Sequence, residues 1–199
     1  MKVAACEFSV ARSAGLRPGL FSAAIFDGCL SFILKGRELK KVPTDSKSKT
    51  QLYYQLASQL SSLLAGERDL IANAANFSAL VYHSLPDLNW AGFYFAKNDE
   101  LVLGPFQGQP ACMRIKIGQG VCGAGAATCD TVIVPNVHEF PGHIACDSAS
   151  NSEIVVPLLK GEKLIGVLDL DSPVLSRFDR EDAKGLEQLV KILLSSVTS

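Results

Sequence analysis

The sequence predicts an α+β domain: a mostly antiparallel sheet of five to six strands flanked by helices. Three observations carry that expectation. Apolar residues recur at helical spacing from Lys49 to about Pro86, the period drops to two between Asn89 and Asp171, and helical spacing returns after Asp179. Elements of one kind come in runs rather than in strict βαβ alternation, which favours α+β over a parallel doubly wound sheet.

Taken in order, Leu52, Leu56, Leu60 and Leu63 form the first helical stripe, and Gly66 suits its C-terminal end. Leu70, Ala74, Phe77 and Val81 form the second stripe, which ends before Pro86. In Asn89–Ala96 the alternation places Trp90, Gly92 and Tyr94 on one face and Ala91, Phe93 and Phe95 on the other. Asn98-Asp99 turns the chain into ELVLGPF, so these two strands should pair antiparallel. After QGQPA, a third strand is expected to begin at Cys112. The small-residue run GQGVCGAGAATC reads as a short helix holding Cys122, and TVIVP reads as a short strand. EIVVPLL, starting at Glu153, and KLIGVLDLD form a hairpin through Lys160-Gly161-Glu162. Ile165, Val167, Asp169 and Asp171 share one face of the second of these strands, so two carboxylates stand side by side where strand meets loop. A last helix, capped around Asp179, carries Leu186, Leu189, Val190 and Leu193.

Composition narrows the function classes. With 199 residues and 48% hydrophobic content, the chain can bury one core, placed at residues 46–199. Residues 1–50 carry 9 Lys/Arg against 4 Asp/Glu, and the remainder carries 10 against 16, so a basic leader precedes an acidic body. No basic patch suits nucleic acid. Residues 1–45 read as an extension, flexible or targeting: Arg12, Arg17 and several serines resemble an organelle transit peptide. The apolar run at residues 19–34 is broken by Asp27 and Gly28, so no membrane span is expected. Six cysteines without a C-x-x-C pair argue against a disulfide scaffold and for a reducing, cytoplasmic setting, with organelle targeting left open.

The chemistry gathers around residues 138–152, HEFPGHIACDSASNS. Pro141-Gly142, Asp147-Ser148 and Asn151-Ser152 mark this stretch as a loop, yet it holds His138, His143 and Cys146. A thiol between imidazoles and carboxylates can be reactive, since a nearby imidazolium depresses its pKa; the plain reading is a solvated loop with an incidental cysteine.

The segments NWAGFYF (89–95), LGPFQGQPAC (103–112), GQGVCG (118–123), VPNVHEFPGHIACDSASNSEIVVPL (134–158) and IGVLDLDSP (165–173) resemble the free methionine-(R)-sulfoxide reductases, a branch of the GAF-domain fold. The resemblance spans roughly residues 50–195. It implies a GAF-like catalytic domain, with family cysteines at Cys112, Cys122 and Cys146, acidic pocket residues at Glu153, Asp169 and Asp171, and an aromatic wall at Trp90 and Tyr94. It implies free methionine (R)-sulfoxide as substrate, a thioredoxin-like dithiol as reductant, and neither cofactor nor resident metal. Assembly as a homodimer is left open.

Two carboxylates can hold an α-ammonium, an aromatic face suits the S-methyl, and Glu153, partly buried, can keep a proton for the sulfoxide oxygen. Cys146 is expected to attack, Cys112 to resolve and Cys122 to relay; the rival order makes Cys122 the attacker at a helix N-terminus. Two other classes compete with the reductase. One is a GAF-type small-molecule sensor without turnover. The other is a zinc site built from Cys112, Cys122, Cys146 and His143.

Overall fold

A computed structural model describes residues 46–142 and 148–197, with side chains from Lys49 onward. The expected extension at residues 1–45, together with His143 and Cys146, lies outside the described residues.

Helix α1 (Ser46–Leu63) and helix α2 (Leu70–Ser84) precede the sheet. The buried seam of α1 is Tyr53, Leu56 and Leu60, continued by Leu64 in the turn that follows, which leaves Leu63 46% exposed and corrects the expected stripe. Tyr53 sets this rotation. Its hydroxyl donates to Asp182 at 2.9 Å, and its ring lies so close to Gly185 that a Cβ there would come within 2.2 Å. Asp69 caps α2 by accepting from the Ala72 amide, and Ala74, Phe77 and Val81 are buried as expected.

Strands β1 (Trp90–Lys97), β2 (Glu100–Gly108), β3 (Arg114–Lys116), β4 (Val132–Val134), β5 (Ser152–Lys160) and β6 (Lys163–Ser172) form one antiparallel sheet in the order β3-β2-β1-β6-β5-β4. Asn98 and Gly161, both with positive φ, make the two hairpin turns. Strand β3 begins at Arg114, so Cys112 sits in the preceding loop rather than opening the strand. Helix α3 (Gly120–Thr128) crosses between β3 and β4, and a 3-10 turn, Val137–Glu139, interrupts what the sequence reads as continuous loop.

The closing helix α4 (Arg180–Ser196) starts in a capping box: Asp179 accepts from the Glu181 and Asp182 amides, and the Asp182 side chain accepts from the Asp179 amide. Asp182 is buried and also receives Lys49 at 2.7 Å and Arg177 at 3.3 Å. That carboxylate ties the start of α1 to the start of α4.

Both faces of the sheet are covered. Ala91, Phe93, Phe95, Ile154, Val156, Leu158, Leu168 and Leu170 pack against α1, α2 and α4. The alternate residues Trp90, Tyr94, Val155 and Val167 pack on the opposite face with Val121, Cys122 and Ala126 of α3. The candidate site lies on this second face.

Candidate active site

Register brings the sequence-predicted acids together. Asp171 is paired with Trp90 on one side and Glu153 on the other, and Glu153 in turn with Val134. One step along, Asp169 is paired with Gly92 and Val155. Directly paired residues of antiparallel strands point to the same face, so Trp90, Glu153, Asp169 and Asp171 converge on one patch. Helix α3 supplies its lid, because Gly125 packs so tightly on Val155 that an added Cβ would come within 2.9 Å. That contact lowers the first turn of α3, with Cys122, onto the acids.

The resulting cluster is closely packed and almost dry. Cys122, Glu153 and Asp169 are 3%, 6% and 6% exposed, and Cys122 Sγ lies 4.0 Å from Glu153 Oε1. One ligand-capable atom from each of the three falls within 4.8 Å of the others. Burial pushes the Glu153 carboxyl well above the usual carboxylate range, with Asp169 and Asp171 adding like charge. Asp169 is pushed up to about 6 by burial, against hydrogen bonds from Cys122 and Glu153 that pull it down. Glu153 therefore holds its proton more tightly than an ordinary carboxyl and is hydrogen-bonded to Asp169. Burial, then the charges of Asp169 and Glu153, pushes the Cys122 thiol well above its ordinary value. Asp169 Oδ1 is buried with no hydrogen-bond partner among the described residues. An orphaned carboxylate oxygen in a dry pocket is costly unless a ligand donates to it.

The aromatic wall has three members, not two. Trp90 stacks on Tyr94 at 5.9 Å between centroids and on Phe106 at 5.3 Å, and its indole Nε1–H donates to the Gln109 carbonyl at 3.1 Å. The indole lies over Gly92, where a Cβ would come within 2.7 Å of its Cη2 atom.

The sequence profile of the GAF domain family matches residues 50–194. Among curated relatives, the free methionine-R-sulfoxide reductase of Escherichia coli (strain K12) is 54% identical, covering 72% of this chain and 87% of its own. That of Saccharomyces cerevisiae is 42% identical, over 75% and 87%. The crystal structure of the Neisseria meningitidis free methionine-R-sulfoxide reductase in complex with its substrate superposes with a TM-score of 0.73. It is 45% identical and covers 78% of this chain and 94% of the other. The chain belongs to the GAF-domain family of free methionine-R-sulfoxide reductases.

Within this GAF domain the expected site residues fall into three groups. Trp90, Tyr94, Cys122, Glu153 and Asp169 form the buried cluster described above, with Asp171 half-buried in the same row. Cys112 lies partly buried against the same apolar cluster, at its edge. Cys146, the expected attacker, lies outside the described residues. Cys129, read as incidental, caps the far end of α3 in a left-handed conformation.

Sequence reasoning missed Phe106, whose signal was the hairpin register opposite Gly92, and it missed the anchors of the 138–152 loop. Asn89 Nδ2 donates to Ser150 Oγ at 2.9 Å, and Asn151 Nδ2 donates to the Pro173 carbonyl at 2.8 Å. That second bond fixes the amide orientation, so Asn151 Oδ1 faces His138 Nε2 at 3.0 Å and must accept from it. Both ends of the loop are thereby fastened beside the ends of the two central strands, β1 and β6.

No helix among the described residues is long and apolar enough to cross a membrane.

Proposed function

We propose that the protein reduces free L-methionine (R)-S-oxide to methionine by cysteine chemistry, in the domain at residues 46–199. The observation that carries the reading is a buried acid cluster beside a tryptophan wall, in a chain 54% identical to an enzyme named for this reaction. A GAF-type sensor would account for the fold but not for that likeness.

In this reading Asp169, through its unpartnered oxygen, and Asp171 receive the α-ammonium of the substrate, while Trp90 and Tyr94 receive the S-methyl. Glu153, held protonated by burial, donates to the sulfoxide oxygen as the Cys146 sulfur attacks the substrate sulfur. An S–S bond forms to the substrate sulfur as the S–O bond breaks and its oxygen leaves as water; a water then attacks the Cys146 sulfur, methionine departs with the S–S electron pair, and Cys146 is left as a sulfenic acid. Cys112 displaces that oxygen as water, forming a disulfide, and Cys122 relays the disulfide to a thioredoxin-like dithiol, which is oxidised in turn. Cys122 suits the relay better than the attack, because the surrounding carboxylates disfavour its thiolate. The proposed setting is a reducing compartment, with the cytoplasm expected and residues 1–45 an extension outside the chemistry. A homodimer is an assembly to be tested.

The decisive experiment is coupled turnover of the separate R and S diastereomers of free methionine sulfoxide, with N-acetyl methionine sulfoxide alongside. Turnover of the free R form alone is expected, since a neutral amide in place of the ammonium would leave buried carboxylates unpaired. Comparable turnover of the N-acetyl compound would defeat the pocket assignment.

A further inference from the structure

We propose that Cys122, Glu153 and Asp169 form an inhibitory site for a thiophilic divalent cation of the zinc class, which occupies the place of the substrate's ammonium. The occupancy by ammonium rests on the function proposed above; the metal site itself rests on the geometry alone.

Among the described residues this is the one group of three His, Cys, Asp or Glu side chains close enough to share an ion. Its donor atoms lie within 4.8 Å of one another, and the Cys122–Glu153 pair is at 4.0 Å. In a tetrahedral zinc site with ordinary bond lengths, sulfur and oxygen ligands stand about 3.6 Å apart. The Cys122–Glu153 pair is about 0.4 Å wider than that, and no sulfur–oxygen pair is more than about 1.2 Å wider. All three side chains are held on regular elements, α3, β5 and β6, rather than on loops. Three protein ligands with an open fourth position match an accessible zinc site more closely than a closed structural one.

A second observation points to a cation independently of the cluster. Asp169 is 94% buried by its 6% exposure, and its Oδ1 atom has no hydrogen-bond partner among the described residues. A buried, unsatisfied carboxylate oxygen, on a side chain that also meets a sulfur and a second carboxyl, is completed by a positive charge. An ammonium completes it by hydrogen bonding, and a metal ion completes it by coordination, so the two should exclude each other. The thiolate selects among metals, favouring zinc and disfavouring magnesium or calcium, which prefer all-oxygen shells. This set differs from the site of three cysteines and His143 weighed from the sequence: it needs Cys122 but neither Cys112, Cys146 nor His143.

The test uses the full chain, reduced with a phosphine and stripped with a chelator. Zinc is titrated in competition with a chromophoric chelator, and cobalt replaces zinc for spectroscopy. The expected result is saturable binding with a thiolate-to-cobalt charge-transfer band, and an apparent affinity that weakens as free methionine is added. Partners that only orient metal ligands are commonly worth 10–100-fold in affinity, so Cys122→Ser and Asp169→Asn should each weaken binding by more than about ten-fold. Cys122→Ser should also abolish the charge-transfer band. Glu153→Gln provides a second test should Asp169→Asn fail to fold. Cys112→Ser and Cys146→Ser should bind as the parent does.

Binding that survives Cys122→Ser, or that is lost in Cys146→Ser, would overturn the site and assign the metal to other thiols. An absence of binding by the parent would overturn it equally. In turnover assays zinc should inhibit competitively with methionine sulfoxide. A parent protein without turnover would refute the reductase reading while leaving the metal arms intact.

Discussion

Gly92 is the position where a single methyl group should test the aromatic wall. A Cβ there would lie 2.3 Å from the Phe106 Cβ and 2.7 Å from the Trp90 Cη2 atom. Neither neighbour can yield easily. Phe106 belongs to the paired strand, and Trp90 is fixed by its bond to Gln109 and by the rings of Tyr94 and Phe106. Overpacking of this kind costs about 1–3 kcal/mol. For a domain of this size each kcal/mol lowers Tm by roughly 2–4 °C, so Gly92→Ala should lose about 5 °C. The larger effect should be on catalysis. Displacing the indole misplaces the substrate against the acids, and a misplacement of about 1 Å can cost as much as 10²-fold, so kcat/KM should fall by roughly ten- to a hundred-fold. The assay is steady-state turnover well below the new Tm, beside a thermal melt. Leu189→Ala is the control: fully buried on α4 against the other face of the sheet, it should cost about 2–5 kcal/mol and leave KM unchanged. The reasoning is refuted if Gly92→Ala melts lower yet keeps kcat/KM within about two-fold of the parent.

Three further outcomes follow from the same geometry. Glu153→Gln should depress kcat, whereas Asp171→Asn should raise KM by the equivalent of ~1.5–3 kcal/mol; if both change KM alone, Glu153 is not the proton donor. In single turnover without reductant, Cys146→Ser should release no methionine, and Cys112→Ser and Cys122→Ser should each release about one equivalent and stall; the reverse pattern for Cys122 and Cys146 would exchange their roles. Asp169 binds its proton more tightly in the fold, at about 6, than in the unfolded chain, at 3.8. Stability is therefore full below about pH 4 and should fall by roughly 3 kcal/mol as pH rises towards 6, with Glu153 extending the decline upward. Urea unfolding across pH should show that slope shrink in Asp169→Asn; an unchanged slope would place the titrating group elsewhere.

Much of this was legible from periodicity. The face shared by Trp90, Gly92 and Tyr94, and that shared by Asp169 and Asp171, follow from a period of two. The stripe of α4 and its Asp179 cap follow from helical spacing and N-cap chemistry. What periodicity cannot supply is which strand lies beside which, and at what offset. The convergence of Glu153 with Asp171 depends on the β5–β6 register, and that of Trp90 with Asp171 on the β1–β6 pairing between strands distant in sequence. Cys122 joins them only because Gly125 lets α3 approach Val155 closely. The stripe of α1 was misread at Leu63 for a similar reason: the Tyr53–Asp182 bond, which turns the helix, spans the whole domain. Asn151 reads as a turn former in sequence. Its work is done through the Pro173 carbonyl and His138, which no local pattern reveals.

The acid cluster also explains why a fold should tolerate so costly a patch. Two strands and a helix could have buried apolar side chains where Glu153, Asp169 and Cys122 meet, and the raised pKa values of the two carboxyls measure the cost of not doing so. The stability withheld from the free protein is returned when a cation enters, because the ion then compensates carboxylates that are already desolvated and already oriented. A pocket of this kind discriminates by charge before shape. In the proposed reading, methionine sulfoxide within a peptide presents a neutral amide where the ammonium would sit, and it would leave Asp169 Oδ1 unpaired. Restriction to the free amino acid requires no steric gate in that reading: three acids in register across two strands would suffice.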